Sequence, residues 1–202
     1  GASLAIEYQG EMIVNLWGGY QDAKKTKAWE EETLVNVFSV TKGVTATCIS
    51  RLIDQGQLDP NKRVGHYWPE YSCNGKENTK VSDLLCHRAS MFGFKDGIPS
   101  GSFQDWDKFT HALQIQTPYR KPGTSQGYHA LTFGWLVGEL IRRVDGRTVG
   151  SYFKEEIADP LNIDFHIGLA ESEFERCADM LMLPMENIKL PGEFLKYVPN
   201  FF

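Results

Sequence analysis

The chain has 202 residues, enough for one or two domains, and its 42% hydrophobic and 12% aromatic content is typical of a globular enzyme rather than a disordered chain. Its formal net charge of −5, without a stripe of clustered Lys and Arg, argues against a nucleic-acid-binding protein. No run of about 18 apolar residues and no signal-peptide pattern occurs, so we expect a soluble chain without a membrane span. The compartment is not determined by the sequence.

The four cysteines are Cys48, Cys73, Cys86 and Cys177. They lie far apart, with neither the ligand spacing of a zinc site nor a C-x-x-C redox motif. They allow two disulfides without requiring them.

The N-terminal third predicts two strands, a short β-rich run and a helix. Residues 3–9 and 12–17 are β-like, and Gly10-Glu11 between them indicates a hairpin. The run at 34–38 leads into a helical pattern over 39–55, with Gly56 placed to end the helix. This helix is apolar on nearly all sides, so we expect it to be buried, with Ser39 at its N-terminus.

The remaining elements are mainly helical. Residues 81–87 predict a short helix, 90–102 a glycine-rich loop, and 103–116 a further helical stripe. The clearest amphipathic helix covers 129–144, and another covers 148–157 and ends before Asp159-Pro160. The tail from 180 to 202 shows no assignable pattern.

The motif S-x-x-K occurs twice, at Ser39–Lys42 and at Ser151–Lys154. At i, i+3 on a helix, two side chains share a face about 5–6 Å apart, close enough for a lysine amine to take a serine proton. Ser151 is in a charged, amphipathic helix, where a lysine is most simply a solvated charge. Ser39 opens an apolar helix, where burial would favour the neutral amine that a base requires. The alternative for this pair is a helix-capping serine with a snorkelling lysine.

Four motifs occur in the chain in a characteristic order: Ser39-Val40-Thr41-Lys42, Leu84-Leu85-Cys86-His87-Arg88-Ala89-Ser90, Pro122-Gly123-Thr124 and Tyr128-His129-Ala130. Over roughly residues 1–170, this order resembles the serine β-lactamase and penicillin-binding-protein superfamily. The closest resemblance is to class C β-lactamases and to β-lactamase-like carboxylesterases, including β-lactamase-related proteins of animals.

The resemblance implies an α+β, β-lactamase/transpeptidase-like fold, in which an α/β sandwich accompanies a helical domain. It also implies a serine hydrolase that forms an acyl-enzyme on a small ester, amide or β-lactam and needs no cofactor. The catalytic residues would be Ser39 as nucleophile, Lys42 as its base and Tyr128 as the second acid and base. Without the resemblance, Tyr128 would more simply be an aromatic anchor at a helix start.

Two departures from the family pattern bear on function. Ala130 stands where lactamases have the Asn of Y-x-N, which removes the amide that contacts a β-lactam side chain and favours esters. The later K-[ST]-G, H-x-G or W-x-G strand motif, which would supply the second oxyanion N–H, has no convincing match. His166-Ile167-Gly168 and Trp17-Gly18-Gly19 fit its letters but not its place in the chain, so we interpret both as structural.

Other candidate residues have simpler structural interpretations. Ser82-Asp83-Leu84 resembles the Ser-Asp-Asn motif of class A enzymes without its Asn, and a capping serine is the better interpretation. His87, His111 and His129 lack metal-ligand spacing, and we expect them to be structural as well.

The resemblance also implies that the fold is incomplete, because family members continue through further strands and a terminal helix. The expected division is 1–56 as part of the sheet domain with the nucleophile helix, 57–170 as the helical domain, and 171–202 as a tail toward a missing C-terminal half. Either the chain is a fragment, or segments are missing, or a second chain completes the fold. The alternative to an enzyme is therefore an inactive or truncated β-lactamase-like protein that acts by binding or assembly.

Overall fold

The structure is a computed structural model that describes residues 1–101 and 103–181. The chain forms two compact units: one comprises Gly1–Asn36 and the chain from Ala170 onward, and the other comprises Val37–Leu169. Residues 182–202 of the tail expected from the sequence lie outside the described residues. The division expected at 56/57 and 170/171 stays a prediction.

The hairpin predicted at the N-terminus is confirmed. Strands β1 (Ala2–Tyr8) and β2 (Glu11–Gly18) pair antiparallel. The turn lies at Gln9 and Gly10, one residue earlier than predicted, because both adopt the positive φ of a type I′ turn, 53° and 83°. This turn matches the right-handed twist of the two strands and fixes the register next to it, and a β-bulge between Ile6 and Glu7 then shifts the register over the rest of the hairpin.

One face of the hairpin is aliphatic. Leu4 is opposite Leu16 and Ile6 is opposite Val14 in the register of the two strands. Leu4 is 53% exposed and Leu16 is 62% exposed. Across the described residues, the sheet has these two strands alone. Such a sheet is marginally stable without a packing partner.

The β-rich run predicted at 34–38 is not a strand. Leu34 makes an isolated parallel bridge to Cys177, and its N–H donates to the Arg176 carbonyl at 2.8 Å. The residues after Leu34 make no further ladder in the described chain. The strand-like pattern did not give a strand because β propensity reflects packing against a neighbouring strand, and within the described residues Leu34 alone of this run forms a bridge.

Helix α1 (Val40–Asp54) begins directly after Ser39, and Gly56, with a φ of 71°, follows its end as predicted. The buried residues of α1 lie at helical spacing on one face: Thr45, Cys48, Ile49 and Leu52. Thr47 and Ser50, on other faces, are exposed. The buried surface is therefore one face rather than nearly the whole circumference, because the small Thr and Ser side chains face solvent.

Over the described residues, five further helices follow: α2 (Val81–Leu85), α3 (Trp106–Ile115), α4 (Thr132–Asp145), α5 (Val149–Phe153) and α6 (Asp159–Leu161). The helices predicted at 81–87 and 103–116 are confirmed with shorter bounds. Short 3₁₀ turns lie at Val64–His66, Pro69–Tyr71 and Glu171–Arg176. None of the helices in the described ranges is long and apolar enough to cross a lipid bilayer.

The helix predicted at 148–157 continues beyond its predicted end. Between α5 and α6 the backbone takes π-helical hydrogen bonding over Lys154–Ala158. Pro160 then lies at the start of α6, where its fixed φ is compatible with a helical backbone. A proline at the start of a turn therefore does not end this helix.

Helix α4 is the central element of the second unit. It packs against α1, α2, α3 and α5, and all of its residues from Thr132 to Ile141 except Gly134 are buried. The largest buried side chains around it include Trp68, Tyr71 and Phe109. Because α4 starts at Thr132, three residues later than predicted, Tyr128 and His129 belong to the loop that enters it.

Candidate active site

Ser39 is held at the start of α1 by a tight turn. The Val40 N–H donates to the Val37 carbonyl and the Thr41 N–H to the Phe38 carbonyl, both at 3.1 Å. Phe38 has a φ of 46°, an uncommon left-handed conformation for an aromatic residue and a form of backbone strain found at functional sites. Within the described chain, the Ser39 N–H has no hydrogen-bond acceptor.

Lys42 lies one turn later on α1 and reaches back to the serine. Its Nζ is 3.1 Å from Ser39 Oγ and donates to the Ala130 carbonyl at 2.8 Å. The same Nζ lies 4.9 Å from the ring centroid of Tyr128 and 5.9 Å from that of Phe133. Lys42 therefore occupies a half-buried position between α1 and the loop before α4.

Tyr128 completes a three-residue cluster, because its Oη donates to Ser39 Oγ at 2.7 Å. The three residues that the family resemblance singled out thus lie together, although 89 positions separate Ser39 from Tyr128 in the chain. Tyr128 is 53% exposed, so the cluster opens to solvent on the described surface.

The groups of the cluster change the acid–base properties of their neighbours. The pKa of Tyr128 lies below its ordinary value, mainly because Ser39 hydrogen-bonds the phenolate form, with smaller contributions from a hydrogen bond to Lys42 and from the lysine charge. Burial, and then the charge of Lys42, lower the pKa of His87. A tyrosine whose ionised form is favoured is better suited to accept a proton near neutral pH.

The second S-x-x-K has a different geometry. The Ser151 N–H donates to Thr148 Oγ1 at 3.1 Å, so this serine lies in the capped first turn of α5. Lys154 Nζ points to the Asp159 carboxylate, 2.6 and 2.8 Å from its two oxygens. Lys154 is thus paired with an acid rather than with a hydroxyl.

Sequence reasoning missed two groups at the site. The Ala130 carbonyl binds Lys42 through the backbone, which no side-chain pattern reveals. His87, which we expected to be structural, has its ring centroid 4.8 Å from that of Tyr128. The only sequence signal for His87 was its place in one of the four ordered motifs.

The histidines near the site are engaged by the backbone. His87 Nδ1 accepts the His129 N–H at 3.1 Å, and His129 Nε2 accepts the Met91 N–H at 3.1 Å. One nitrogen of each ring is therefore unavailable to a metal. No group of three or more His, Cys, Asp or Glu side chains able to hold a metal occurs within residues 1–101 and 103–181.

Residues 1–196 match the protein family described as Beta-lactamase. Among curated proteins, the chain is similar to the esterase/beta-lactamase LipL of Mycobacterium tuberculosis, with 37% identity over 184 residues, or 90% of this chain and 42% of LipL. A weaker similarity, 25% over 187 residues, is to protein flp of Staphylococcus aureus, of which it covers 37%.

Solved structures give a similar result. A family VIII carboxylesterase is 42% identical with a TM-score of 0.84, and the match covers 89% of this chain and 50% of that protein. A penicillin-binding protein homologue from Caulobacter crescentus is 39% identical with a TM-score of 0.85, covering 89% of this chain and 48% of that protein. The chain thus spans about half the length of these relatives, or less.

Proposed function

The chain belongs to the beta-lactamase family, and on that premise we propose that it is a serine hydrolase that cleaves small esters or amides through an acyl-enzyme. The observation that carries the proposal is the meeting of two proton-transfer groups at one hydroxyl. Lys42 Nζ lies 3.1 Å and Tyr128 Oη 2.7 Å from Ser39 Oγ. In this proposal Ser39 is the nucleophile, Lys42 its base and Tyr128 the second acid and base.

Acylation begins when Lys42, once it has given up a proton to solvent, takes the Ser39 proton and Oγ attacks the carbonyl carbon of the substrate. The carbonyl oxygen becomes an oxyanion, and the Ser39 N–H at the positive end of the α1 dipole is placed to stabilise it. When the carbon–oxygen or carbon–nitrogen bond of the leaving group breaks, Tyr128 supplies its proton. Water then attacks the acyl-serine: the Tyr128 phenolate takes a proton from the water, and Lys42 returns its extra proton to Ser39 Oγ as the acid product leaves, which restores both groups.

The substrate class follows from position 130. Ala130 contributes only its carbonyl, which binds Lys42, and its methyl group cannot donate a hydrogen bond to an amide side chain of a β-lactam. An ester has no such side chain to recognise. The name of the family VIII carboxylesterase agrees with this preference, whereas LipL is named as both an esterase and a beta-lactamase.

A fluorophosphonate probe followed by peptide mass spectrometry tests the nucleophile. We expect one adduct on Ser39, which is lost in Ser39→Ala and retained in Ser151→Ala, the matched control from the second S-x-x-K. Labelling of Ser151 in place of Ser39 contradicts the assignment. A folded wild-type chain without an adduct, under conditions that label a known hydrolase, supports the non-catalytic alternative of binding or assembly.

The substrate preference is tested in parallel with p-nitrophenyl esters and nitrocefin. We expect the ester to be hydrolysed faster by wild type, and Ala130→Asn to shift the ratio toward the β-lactam by restoring an amide. Turnover of nitrocefin alone contradicts the preference for esters without contradicting Ser39 as nucleophile.

A further inference from the structure

The loop from Gly127 to Ala130 brings both Tyr128 and the Ala130 carbonyl to the reacting pair, so whatever fixes this loop also fixes the site. His87 makes two backbone hydrogen bonds to it. The Gly127 N–H donates to the His87 carbonyl at 2.9 Å, and the His129 N–H donates to His87 Nδ1 at 3.1 Å. His87 therefore spans the loop on both sides of Tyr128.

The ring of His87 is also packed against the site. Its centroid lies 4.8 Å from the Tyr128 ring, 5.2 Å from the Phe133 ring and 5.4 Å from the His129 ring. Its backbone has a φ of 58°, an uncommon left-handed conformation for a residue with a side chain. Such backbone strain persists only where the surroundings over-determine the conformation.

The far side of the loop is anchored in the core. His129 is fully buried, its Nε2 accepts the Met91 N–H, and Thr132 Oγ1 donates to the Met91 carbonyl at 2.6 Å. His129 thus holds the loop from inside, whereas His87 holds it beside the solvent-facing site. Of these two histidines, His87 is the one whose ring lies against Tyr128 and whose pKa is lowered by the charge of Lys42.

We propose that His87 is a positioning residue which, as the neutral tautomer with its proton on Nε2, accepts the His129 N–H and supports the Tyr128 ring, and so presents Tyr128 Oη and the Ala130 carbonyl to Ser39 and Lys42. The inference rests on the proposed function, because it assigns His87 to the same site. His87 acts through Tyr128 and Lys42 and does not touch the reacting atoms.

Protonation of His87 removes this support. An imidazolium has no free lone pair on Nδ1, so it cannot accept the His129 N–H. The ionisable groups that face it are Lys42 from α1 and Tyr128 and His129 from the loop, and the charge of Lys42 opposes a second cation. The pKa of His87 is accordingly below its ordinary value, mainly through burial, which keeps the neutral form at neutral pH.

Two variants separate the hydrogen bond from simple packing. His87→Asn keeps an acceptor oxygen near the Nδ1 position and tolerates the left-handed backbone, but it loses the ring. His87→Phe keeps an aromatic ring and loses the acceptor. His111→Asn is the matched control, because His111 is an exposed histidine on α3.

The first measurement is the rate of fluorophosphonate labelling of Ser39 between pH 5 and pH 9. We expect His87→Phe to lower the maximal rate by about 10- to 100-fold, with little change in the probe concentration at half-saturation, because the loop is misplaced. We expect His87→Asn to label at close to the wild-type rate. Its rate should not fall at acid pH, because it has no imidazole to titrate at this position. His111→Asn matches wild type.

The second measurement does not depend on activity. Imidazole ¹⁵N NMR of wild type should show a proton on His87 Nε2 and none on Nδ1 at neutral pH, and hydrogen exchange should show a protected His129 amide. We expect this protection to be lost in His87→Phe and retained in His87→Asn.

A proton on Nδ1, or a His87→Phe variant that equals wild type in His129 amide exchange, overturns the inference. If the NMR and exchange results agree with it but the wild type is not labelled at Ser39, the proposed function has failed and the positioning of the loop by His87 stands.

Discussion

Lys42 and Tyr128 meet at Ser39 Oγ, and the Ala130 carbonyl holds Lys42 beside it. Lys42 comes from the first turn of a helix, Tyr128 from a loop, and the Ala130 carbonyl from the backbone of that loop. Helix spacing alone places the first, whereas the other two depend on the entry of the loop into α4. The site is therefore as rigid as the loop that carries Tyr128.

Tyr128→Phe removes one hydroxyl from this cluster. We expect the rate of Ser39 labelling to fall by about 10²- to 10⁴-fold, the usual contribution of a positioned acid or base. Because Tyr128 donates a proton to the leaving group and its pKa is below its ordinary value, the labelling rate of wild type should fall with rising pH earlier than free tyrosine ionises, and this fall should be absent in the variant. The measurement is the labelling rate as a function of pH.

Tyr119→Phe is the control for this prediction, because Tyr119 is a partly exposed tyrosine stacked on Phe92. We expect it to leave the labelling rate unchanged. Both variants should unfold in urea within about 0.5 kcal/mol of wild type, since each removes a single exposed or partly exposed hydroxyl. Equal labelling rates for Tyr128→Phe and wild type would contradict the role of Tyr128.

At the scale of elements, α4 has the largest share of the core and carries two glycines with opposite surroundings. A Cβ on Gly138 would lie 2.6 Å from the Trp106 ring, whereas nothing lies within 4 Å of a Cβ on Gly134. Trp106 also donates to the buried Glu139 carboxylate at 2.7 Å, so its ring has little freedom to move. The close packing of α3 on α4 thus requires glycine at one position and not at the other.

We expect Gly134→Ala to stabilise the protein by about 0.5–1 kcal/mol, because alanine has the better helix propensity. Gly138→Ala should destabilise it by about 1–3 kcal/mol, because the methyl group forces the Trp106 ring to shift. Urea denaturation of both variants measures the two free energies of unfolding. If the free energy of unfolding changed with the same sign in both variants, the contact with Trp106 would not be the reason that position 138 requires glycine.

The elements were more predictable from the sequence than their ends or their partners. The hairpin, α1 and α4 follow from strong periodicity with turn glycines, namely Gly10, Gly56 and Gly146. The β-rich run at 34–38 did not become a strand, because a strand needs a pairing partner and local sequence does not specify one. The Ser39–Lys42 pair followed from spacing and resemblance, but the contacts of His87 and Ala130 depend on backbone geometry far along the chain.

At the scale of the whole molecule, the core of the second unit holds ionisable side chains that make the fold sensitive to acid. Burial, and then the charge of His87, lower the pKa of the buried His129 to about 4. Burial alone would raise the pKa of Glu139, but hydrogen bonds from Arg142, Trp106 and Arg143 hold it below its ordinary value. Both groups oppose protonation in the folded state.

The free energy of unfolding should therefore decrease as the pH falls. The unfolded state binds a proton at His129 below its ordinary pKa of 6.5, while the folded state does so only near 4, so stability is lost between these values, by about 3 kcal/mol in all. Glu139 contributes stability that is present above its unfolded pKa and is lost as the pH falls through its lower folded pKa. Urea denaturation at pH 7, 5.5 and 4 measures how the free energy of unfolding depends on pH.

His129→Gln keeps an acceptor for the Met91 N–H and cannot titrate, so we expect it to flatten the dependence between pH 6.5 and pH 4. His111 is exposed, so we expect His111→Gln to show the same dependence of the free energy of unfolding on pH as wild type. A His129→Gln curve as steep as that of wild type would mean that other groups cause the acid sensitivity.

The hold of the Ala130 carbonyl on Lys42 has a consequence for how this protein can evolve. Every amino acid has the same carbonyl, so the side chain at 130 can vary without releasing the lysine. In the proposed function, substrate choice and proton transfer are thus separable at this position. We expect saturation mutagenesis of residue 130 to give a library in which selectivity changes while the contact of its carbonyl with Lys42 is kept.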